Sequence, residues 1–215
     1  GNTGSGKSRL IKDIEQLAAG DSVTGRRVLL DGEAVPLADR LVTSGNLVAH
    51  LSQNMRFVLD LTVRDFLTLH CRCRDRKTLS PQTIIDTANT ITPEPVRLEE
   101  SLNLLSGGQS RALMIADIAL ACDSPIVLID EIENAGIDKK KALHLLTGTR
   151  KLVLIVTHDP HTALMAPKRI IMQNGAIRAV LTRTAGEDRI FSYLDRIYEE
   201  QTALQARLRK GEFLS

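Results

Sequence analysis

Apolar positions along the chain fall into short strand-like runs separated by stretches with helical spacing. Leu10, Ile11 and Ile14 recur with a helical period directly after residue 8. Arg27 to Gly32 predicts a short strand ending in a turn, and Leu47 to Ser52 a second strand leading to Gln53. A helical pattern runs from Val63 to about Arg76. Ser80-Pro81 opens another helix through about Asn89, since a Ser cap followed by Pro suits a first turn. Pro93 and Pro95 break the pattern after that helix, and helical spacing resumes from Ser110 to Ala121 behind two glycines. Ile126–Ile129 and Leu152–Val156 are unbroken apolar runs, the pattern of strands covered on both faces in a parallel sheet. A helical stretch from Lys139 to Leu146 lies between them, and this alternation predicts an α/β layered domain. A strand at Arg169–Met172 and a turn at Asn174-Gly175 precede a last helix beginning near Gly186. In that helix Ile190, Leu194, Ile197, Gln201, Leu204 and Leu208 recur at spacings 4-3-4-3-4, a short heptad seam with one polar member. The seam suits a helix folded back on its own domain, a contact with a second chain or partner, or a solvent-exposed helix.

Composition narrows the class. The 215 residues fit one domain with a short appendage, long enough to bury a core without disulfide staples. With aromatics at 3% and no Trp, that core must be built from Leu, Ile, Val and Ala. Gly 14 and Pro 7 are too few for a fibrous or disordered chain. Lys+Arg 28 against Asp+Glu 26 is too balanced for a basic nucleic-acid-binding surface, so no direct nucleic-acid contact is expected. Cys71, Cys73 and Cys122 are odd in number and lack paired spacing, which points to a reducing, cytoplasmic setting. His70-Cys71-Arg72-Cys73 is half a metal motif at most; no second Cys/His cluster completes it. No apolar run approaches the roughly 20 residues of a membrane-spanning helix, and no signal-peptide pattern is expected. Any membrane role would come through a partner.

The chemistry is concentrated in a few stretches. Gly1-Asn2-Thr3-Gly4-Ser5-Gly6-Lys7-Ser8 fits G-x-x-x-x-G-K-[ST] at every fixed position. In such a loop backbone N–H groups wrap phosphates, the Lys7 ammonium reaches the β/γ-phosphates, and the Ser8 hydroxyl ligates Mg²⁺. The helix that comes next points its positive end at the same anion. Ile126–Asp130 is an apolar strand ending in a carboxylate, the expected second holder of the metal. Glu131 is next, so strand alternation would send its side chain to the other side, where it can orient or deprotonate a water. Between these motifs lies Leu105-Ser106-Gly107-Gly108-Gln109, a further anion-binding helix start.

Phosphate loop, Ser-Gly-Gly-Gln and strand-carboxylate in this order resemble the ATP-binding cassette (ABC) ATPases. The resemblance extends to Gln53, placed like their Q-loop glutamine before Leu61–Leu67, and to Val156-Thr157-His158-Asp159, which looks like their switch histidine. It implies a P-loop NTPase core with a mostly parallel sheet flanked by helices, plus a small helical subdomain and a C-terminal helix. The ABC-type ATPase domain would span 1–185, with its helical subdomain at about 62–108 and a helical tail at 186–215. By the same resemblance Gly1 to Ser8 bind ATP in cis, while Ser106, Gly107, Gly108 and Gln109 contact the γ-phosphate of ATP held by another chain. Glu131 polarises the attacking water, His158 stabilises the γ-phosphate, and Ser8, Gln53 and Asp130 hold Mg²⁺. The implied partners are a second cassette, in a homodimer or heterodimer of the ATP-bound state, and membrane-spanning permease subunits. The implied location is the cytoplasm, on the cytoplasmic face of the membrane.

The sequence departs from the family in three places. Glu131-Ile132-Glu133-Asn134-Ala135-Gly136-Ile137-Asp138 lacks the usual Pro after the glutamate and is one residue longer before Asp138, the D-loop position. Asp117 stands where many relatives carry Arg. The strand and adenine-stacking aromatic that normally precede the phosphate loop are not in the sequence, which therefore reads as N-terminally truncated and is expected to bind nucleotide poorly. The function expected is an ATP-hydrolysing cassette that couples ATP-driven dimerisation to transport. The alternative is a soluble ABC ATPase acting as a switch on a nucleic-acid or protein complex; the short helical insert between Gln53 and Ser106 favours transport.

Overall fold

The computed structural model describes residues 4–53 and 55–213. These fall into two compact units, one of residues 8–156 and one joining 4–7 to 157–213.

In the 8–156 unit, helix α1 (Lys7–Glu15) continues from the phosphate loop. Strands β1 (Leu29–Leu30) and β2 (Glu33–Ala34) form an antiparallel hairpin, shorter than the run from Arg27 predicts. Helix α2 (Arg40–Leu47), which buries no residue and so leaves no apolar period to read, leads into β3 (Val48–Leu51). Helices α3 (Val63–Cys73), α4 (Pro81–Ile91) and α5 (Gly107–Leu120) come next. Then come β4 (Ile126–Asp130), α6 (Lys139–Gly148) and β5 (Leu152–Val156).

Strands β3, β4 and β5 pair in parallel in that order, with Leu51 opposite Ile129 and Asp130 opposite Val156. Central β4 has Val127, Leu128 and Ile129 wholly buried, the physical reason its sequence is an unbroken apolar run. Among the described residues β5 pairs on one side, and its first residue, Leu152, is 61% exposed. The expectation of cover on both faces therefore holds for β4 and fails for the start of β5. Helix α1 lies on this sheet through Ile11, which packs with Leu128 and Val156, while Ile14, Val48, Ile126 and Leu154 fill in around them.

Local chemistry explains the helix ends. Thr62 caps α3 by accepting the Asp65 N–H, and Ser80 caps α4 by accepting the Gln82 N–H with Pro81 at the first position. Helix α3 ends at Cys73, three residues short of the predicted end. Helix α5 begins three residues before its predicted start, so that Gly107 and Gly108 form its first turn. Its buried residues include Ala112, Leu113, Ile115, Ala116 and Ile118, placing it inside the unit rather than on its surface.

A charged pair fastens α1 to the loop after it. Asp13, 3% exposed, accepts from Arg26 Nη1 and from the Thr24 hydroxyl, each at 2.7 Å. Burial pushes the Asp13 carboxyl up, but hydrogen bonds from Thr24, Arg26 and Ser22 outweigh it and hold it below its ordinary value.

In the second unit, α7 (Pro160–Met165) precedes the antiparallel hairpin of β6 (Lys168–Gln173) and β7 (Ala176–Thr182). Asn174 and Gly175, both at positive φ, make its tight turn, as the Asn-Gly pair predicts. Helix α8 (Ala185–Arg209) opens with a capping box between Thr184 and Glu187. It is held to α7 by His161, whose buried ring stacks between Phe191 at 5.5 Å and Tyr198 at 4.9 Å, with Nε2 3.0 Å from Asp195 Oδ1. The face that folds back is thus Phe191, Asp195 and Tyr198. The heptad seam is a different face: Ile190, Ile197, Leu204 and Leu208 remain 40–58% exposed.

Asp13→Ala is expected to cost on the order of 2 kcal/mol of stability, because it removes a buried acceptor of hydrogen bonds from Arg26 and Thr24. Since the folded carboxyl lies below its ordinary value, the contribution is present above the unfolded pKa, near pH 4, and is lost as pH falls through the folded value. Thermal unfolding between pH 7 and 3 checks this: the variant should lose less stability on acidification than the parent. Equal losses would remove Asp13 from the account.

Candidate nucleotide site

The loop that should hold phosphate begins outside the described residues: Gly1, Asn2 and Thr3 lie there, and Gly4 is the first described. Gly4 and Gly6 have φ of 79° and 96°. At Gly6 the reason for glycine is double, since a Cβ would also sit 3.0 Å from Gly175 Cα in the β6–β7 turn. The Gly175 N–H donates to the buried Ser5 carbonyl at 3.1 Å, so this turn braces the loop from behind. Lys7 is the first residue of α1, its Nζ 3.5 Å from Ser5 Oγ. In the same unit His158 is exposed and lies between two anchored neighbours. The Asp159 N–H donates to Thr157 Oγ1 at 3.0 Å, and Asp159 Oδ2 accepts the Thr162 N–H and hydroxyl, capping α7.

In the 8–156 unit the structure brings Gln53, Asp130 and Glu131 together from the ends of two paired strands. Asp130 closes β4. Glu131 does not continue it: with φ 53° and ψ 74° it turns the chain out of the sheet into a short 3₁₀ turn, Ile132–Ala135. Glu131 is thus placed by its own left-handed backbone outside the strand, not by strand alternation. Such a backbone costs on the order of 1 kcal/mol in a non-glycine residue and persists where surroundings fix it. Here the Glu131 N–H donates to the Val156 carbonyl at 3.0 Å, and Gln53 Nε2 donates to Glu131 Oε2 at 2.5 Å.

Arg111, which motif reading passes over, sits beneath this pair. It is 9% exposed, with Nη2 donating to the Asp130 carbonyl at 2.7 Å and Nη1 to the Gln53 carbonyl at 3.4 Å. Burial pushes its guanidinium pKa down, and the Asp130, Glu133 and Glu131 carboxylates oppose that. Its sequence signal is the single cation on a helix whose residues are mostly apolar and buried.

Ser106 is the N-cap of α5. Its Oγ accepts the Gln109 N–H at 3.2 Å while Gln109 Oε1 accepts the Ser106 N–H at 2.9 Å, a reciprocal capping box. Gly107 and Gly108 thus form the first turn of the helix, a start suited to an anion. Asp138 caps α6 within its own chain, accepting the Lys141 N–H at 3.2 Å and donating its N–H to the Ile91 carbonyl at 2.8 Å. Asp117, the departure from the family, is paired with His70 of α3 at 2.7 Å.

For Mg²⁺ the candidate ligands are all oxygens: the Ser8 hydroxyl, the Asp130 carboxylate and, with Nε2 given to Glu131, the Gln53 Oε1. This hard donor set suits Mg²⁺ and is too small to serve as an all-protein cage, as expected where phosphate and water complete the shell. Among the described residues no group of three His, Cys, Asp or Glu side chains could hold a metal, and the His70–Cys73 motif assembles none.

A phosphate loop before a helix, a parallel sheet and a carboxylate closing its central strand define a P-loop α/β nucleotide-binding protein. The profile of the ABC transporter family matches residues 1–134. An ABC transporter ATP-binding protein of Methanocaldococcus jannaschii is 46% identical over the whole chain and 83% of its own length. The zinc import ATP-binding protein ZnuC 2 of Aliivibrio fischeri is 28% identical over 82% of this chain and 67% of its own. Among solved structures, an ATP-binding subunit of an ABC transporter superposes with a TM-score of 0.65 at 23% identity, over 94% of this chain and 85% of that one. A dimeric ATP-binding cassette bound to ADP and phosphate also gives 0.65 at 23% identity, over 85% and 83%. The chain belongs to the ABC transporter family, as an ATP-binding cassette with the P-loop ATPase fold.

Gly6→Ala should weaken nucleotide binding by at least about tenfold, since the residue would carry both a disfavoured φ and a contact with Gly175. Titration with a fluorescent ATP analogue, beside a circular dichroism spectrum showing an intact fold, measures it; undiminished affinity would contradict the bracing role of the turn.

Proposed function

We propose that this protein is the Mg²⁺-dependent ATPase subunit of a membrane transporter, working as a pair of cassettes that close on ATP. The observation that carries the reading is the Gln53–Glu131 contact: two residues 78 apart in sequence meet just past the end of β4, where Asp130 closes the strand. In this reading the phosphate loop, Gly1 to Ser8, holds the ATP of its own chain. Ser8, Asp130 and Gln53 hold Mg²⁺, which neutralises charge developing on the β- and γ-phosphates when bound. Glu131 orients and deprotonates the attacking water, and its strained backbone fixes where the carboxylate points. His158, on its capped loop, stabilises the γ-phosphate.

Ser106, Gly107, Gly108 and Gln109 belong to the other chain's site: the N–H groups at the start of α5 meet the γ-phosphate of ATP bound across the interface. Asp138 lies at the same junction as the D-loop residue, its backbone set by its α6 capping role. The functional domain is residues 1–185, with the helical subdomain at about 62–108 and the tail at 186–215. No helix among the described residues is long and apolar enough to cross a membrane. Transport would therefore require permease subunits, with this protein on the cytoplasmic face. Val58 (89% exposed), Met55 and Leu59 beside Gln53, with Leu69 of α3, are the apolar surface offered to them. The relative named for zinc import supports this over a soluble switch.

Glu131→Gln should bind Mg-ATP and lower its turnover by at least about a hundredfold, trapping a dimer. Light scattering with and without Mg-ATP should show monomer becoming dimer only with nucleotide; a monomer throughout would sink the paired-cassette reading. Ser106→Arg should abolish turnover while the monomer still binds ATP. If its affinity as a monomer fell instead, Ser106 would belong to its own chain's site.

A further inference from the structure

A carboxylate rests on the signature serine. Ser106 Oγ donates to Glu94 Oε2 at 2.8 Å, although Glu94 is exposed and twelve residues away. The loop carrying Glu94 is fixed on all sides. It lies between Pro93 and Pro95, whose rings lock φ. The buried Thr92 Oγ1 bridges the Glu94 N–H and carbonyl at 3.3 Å each. Asn89 of α4 clasps Val96, accepting its N–H at 2.7 Å and donating to its carbonyl at 3.1 Å. Gln109 closes the arrangement: the side chain that caps α5 through Oε1 donates through Nε2 to the Pro95 carbonyl at 3.0 Å.

We propose that Glu94 is a positioning residue that sets the ATP concentration at which two cassettes pair, by supplying an internal anion that the incoming γ-phosphate must displace from Ser106. This rests on the assignment of Ser106 to the other chain's ATP. A serine hydroxyl has one proton and serves one acceptor at a time, so a Ser106 bonded to Glu94 cannot donate to phosphate. The start of α5 is positive and favours an anion, a requirement that Glu94 meets while the chains are apart. When a γ-phosphate arrives at the same helix start, it must take the hydroxyl and tolerate the nearby carboxylate, or drive it aside. Both raise the ATP needed for closure. The loop's stitching makes the effect specific, because it fixes the backbone from which the Glu94 carboxylate reaches the serine.

The test is the midpoint of Mg-ATP-dependent dimerisation, measured by light scattering on full-length Glu131→Gln protein. Adding Glu94→Gln keeps the shape and an acceptor for Ser106 but removes the charge; the midpoint should fall on the order of tenfold. The gap in midpoint between the proteins with and without Glu94→Gln should narrow from low to high salt, as expected of a charge effect at an accessible site. Glu94→Ala, which removes acceptor and charge together, should lower the midpoint as well and serves if the Gln variant misfolds. A midpoint unmoved or raised in these variants, or a gap indifferent to salt, would overturn the proposal. A purely structural role predicts a neutral Gln variant. Failure of Glu131→Gln alone to dimerise at any ATP concentration is a different result, which defeats the trans assignment of Ser106.

Discussion

The buried Arg111 guanidinium is the contact on which the catalytic end of the 8–156 unit depends. Placed in the first turns of α5, it reaches the Asp130 carbonyl at the end of β4 and the Gln53 carbonyl after β3. A cation taken out of water at this depth needs acceptors and nearby opposite charge; the loops it joins supply a carbonyl to each Nη and the Asp130, Glu131 and Glu133 carboxylates nearby, while Nε stays buried without a hydrogen bond. One side chain thereby fixes the helix that begins with Ser-Gly-Gly-Gln against the two strand ends that carry Asp130, Glu131 and Gln53. Movement of α5 would be felt at the backbone of Asp130 and Gln53 through direct bonds rather than through general packing.

The same economy of positioning appears on either side of it. Glu131 leaves the sheet in a left-handed conformation fixed by Val156 and Gln53, so its carboxylate is aimed by the backbone and not by a rotamer alone. Ser106 and Gln109 satisfy each other at the start of α5, whose first turn is the two glycines. In the second unit Gly6 and Gly175 brace the phosphate loop, and Asp159 holds the segment after His158. Phosphoryl transfer needs little covalent work from a protein, and these devices all serve orientation and charge.

The motifs were legible in sequence because each obeys a local rule. The phosphate loop needs glycines at fixed offsets, β4 needs an unbroken apolar run because it lies at the centre of the sheet, and α4 announces itself through Ser80 and Pro81. The features that escaped had non-local causes. Arg111 looks like any helical cation until burial and two distant carbonyls give it a role. The early start of α5 hides behind two glycines, whose poor helix propensity is overridden by the capping box and by burial of the helix. Asp117 is only a departure from a pattern until His70 appears beside it. In α8 the heptad spacing is real, yet the ring of His161 selects Phe191, Asp195 and Tyr198 as the packed face instead.

The sequence by itself determined the class of chemistry: glycines, Lys7, Asp130, Glu131 and His158 in their order define a nucleotide-binding α/β protein, because backbone geometry and phosphate charge demand those residue types at those offsets. Tertiary structure alone decided which side chains act together. Gln53 meets Glu131, Arg111 binds two strand ends, and Glu94 rests on Ser106, since parallel pairing and buried helices bring together residues that no local period connects.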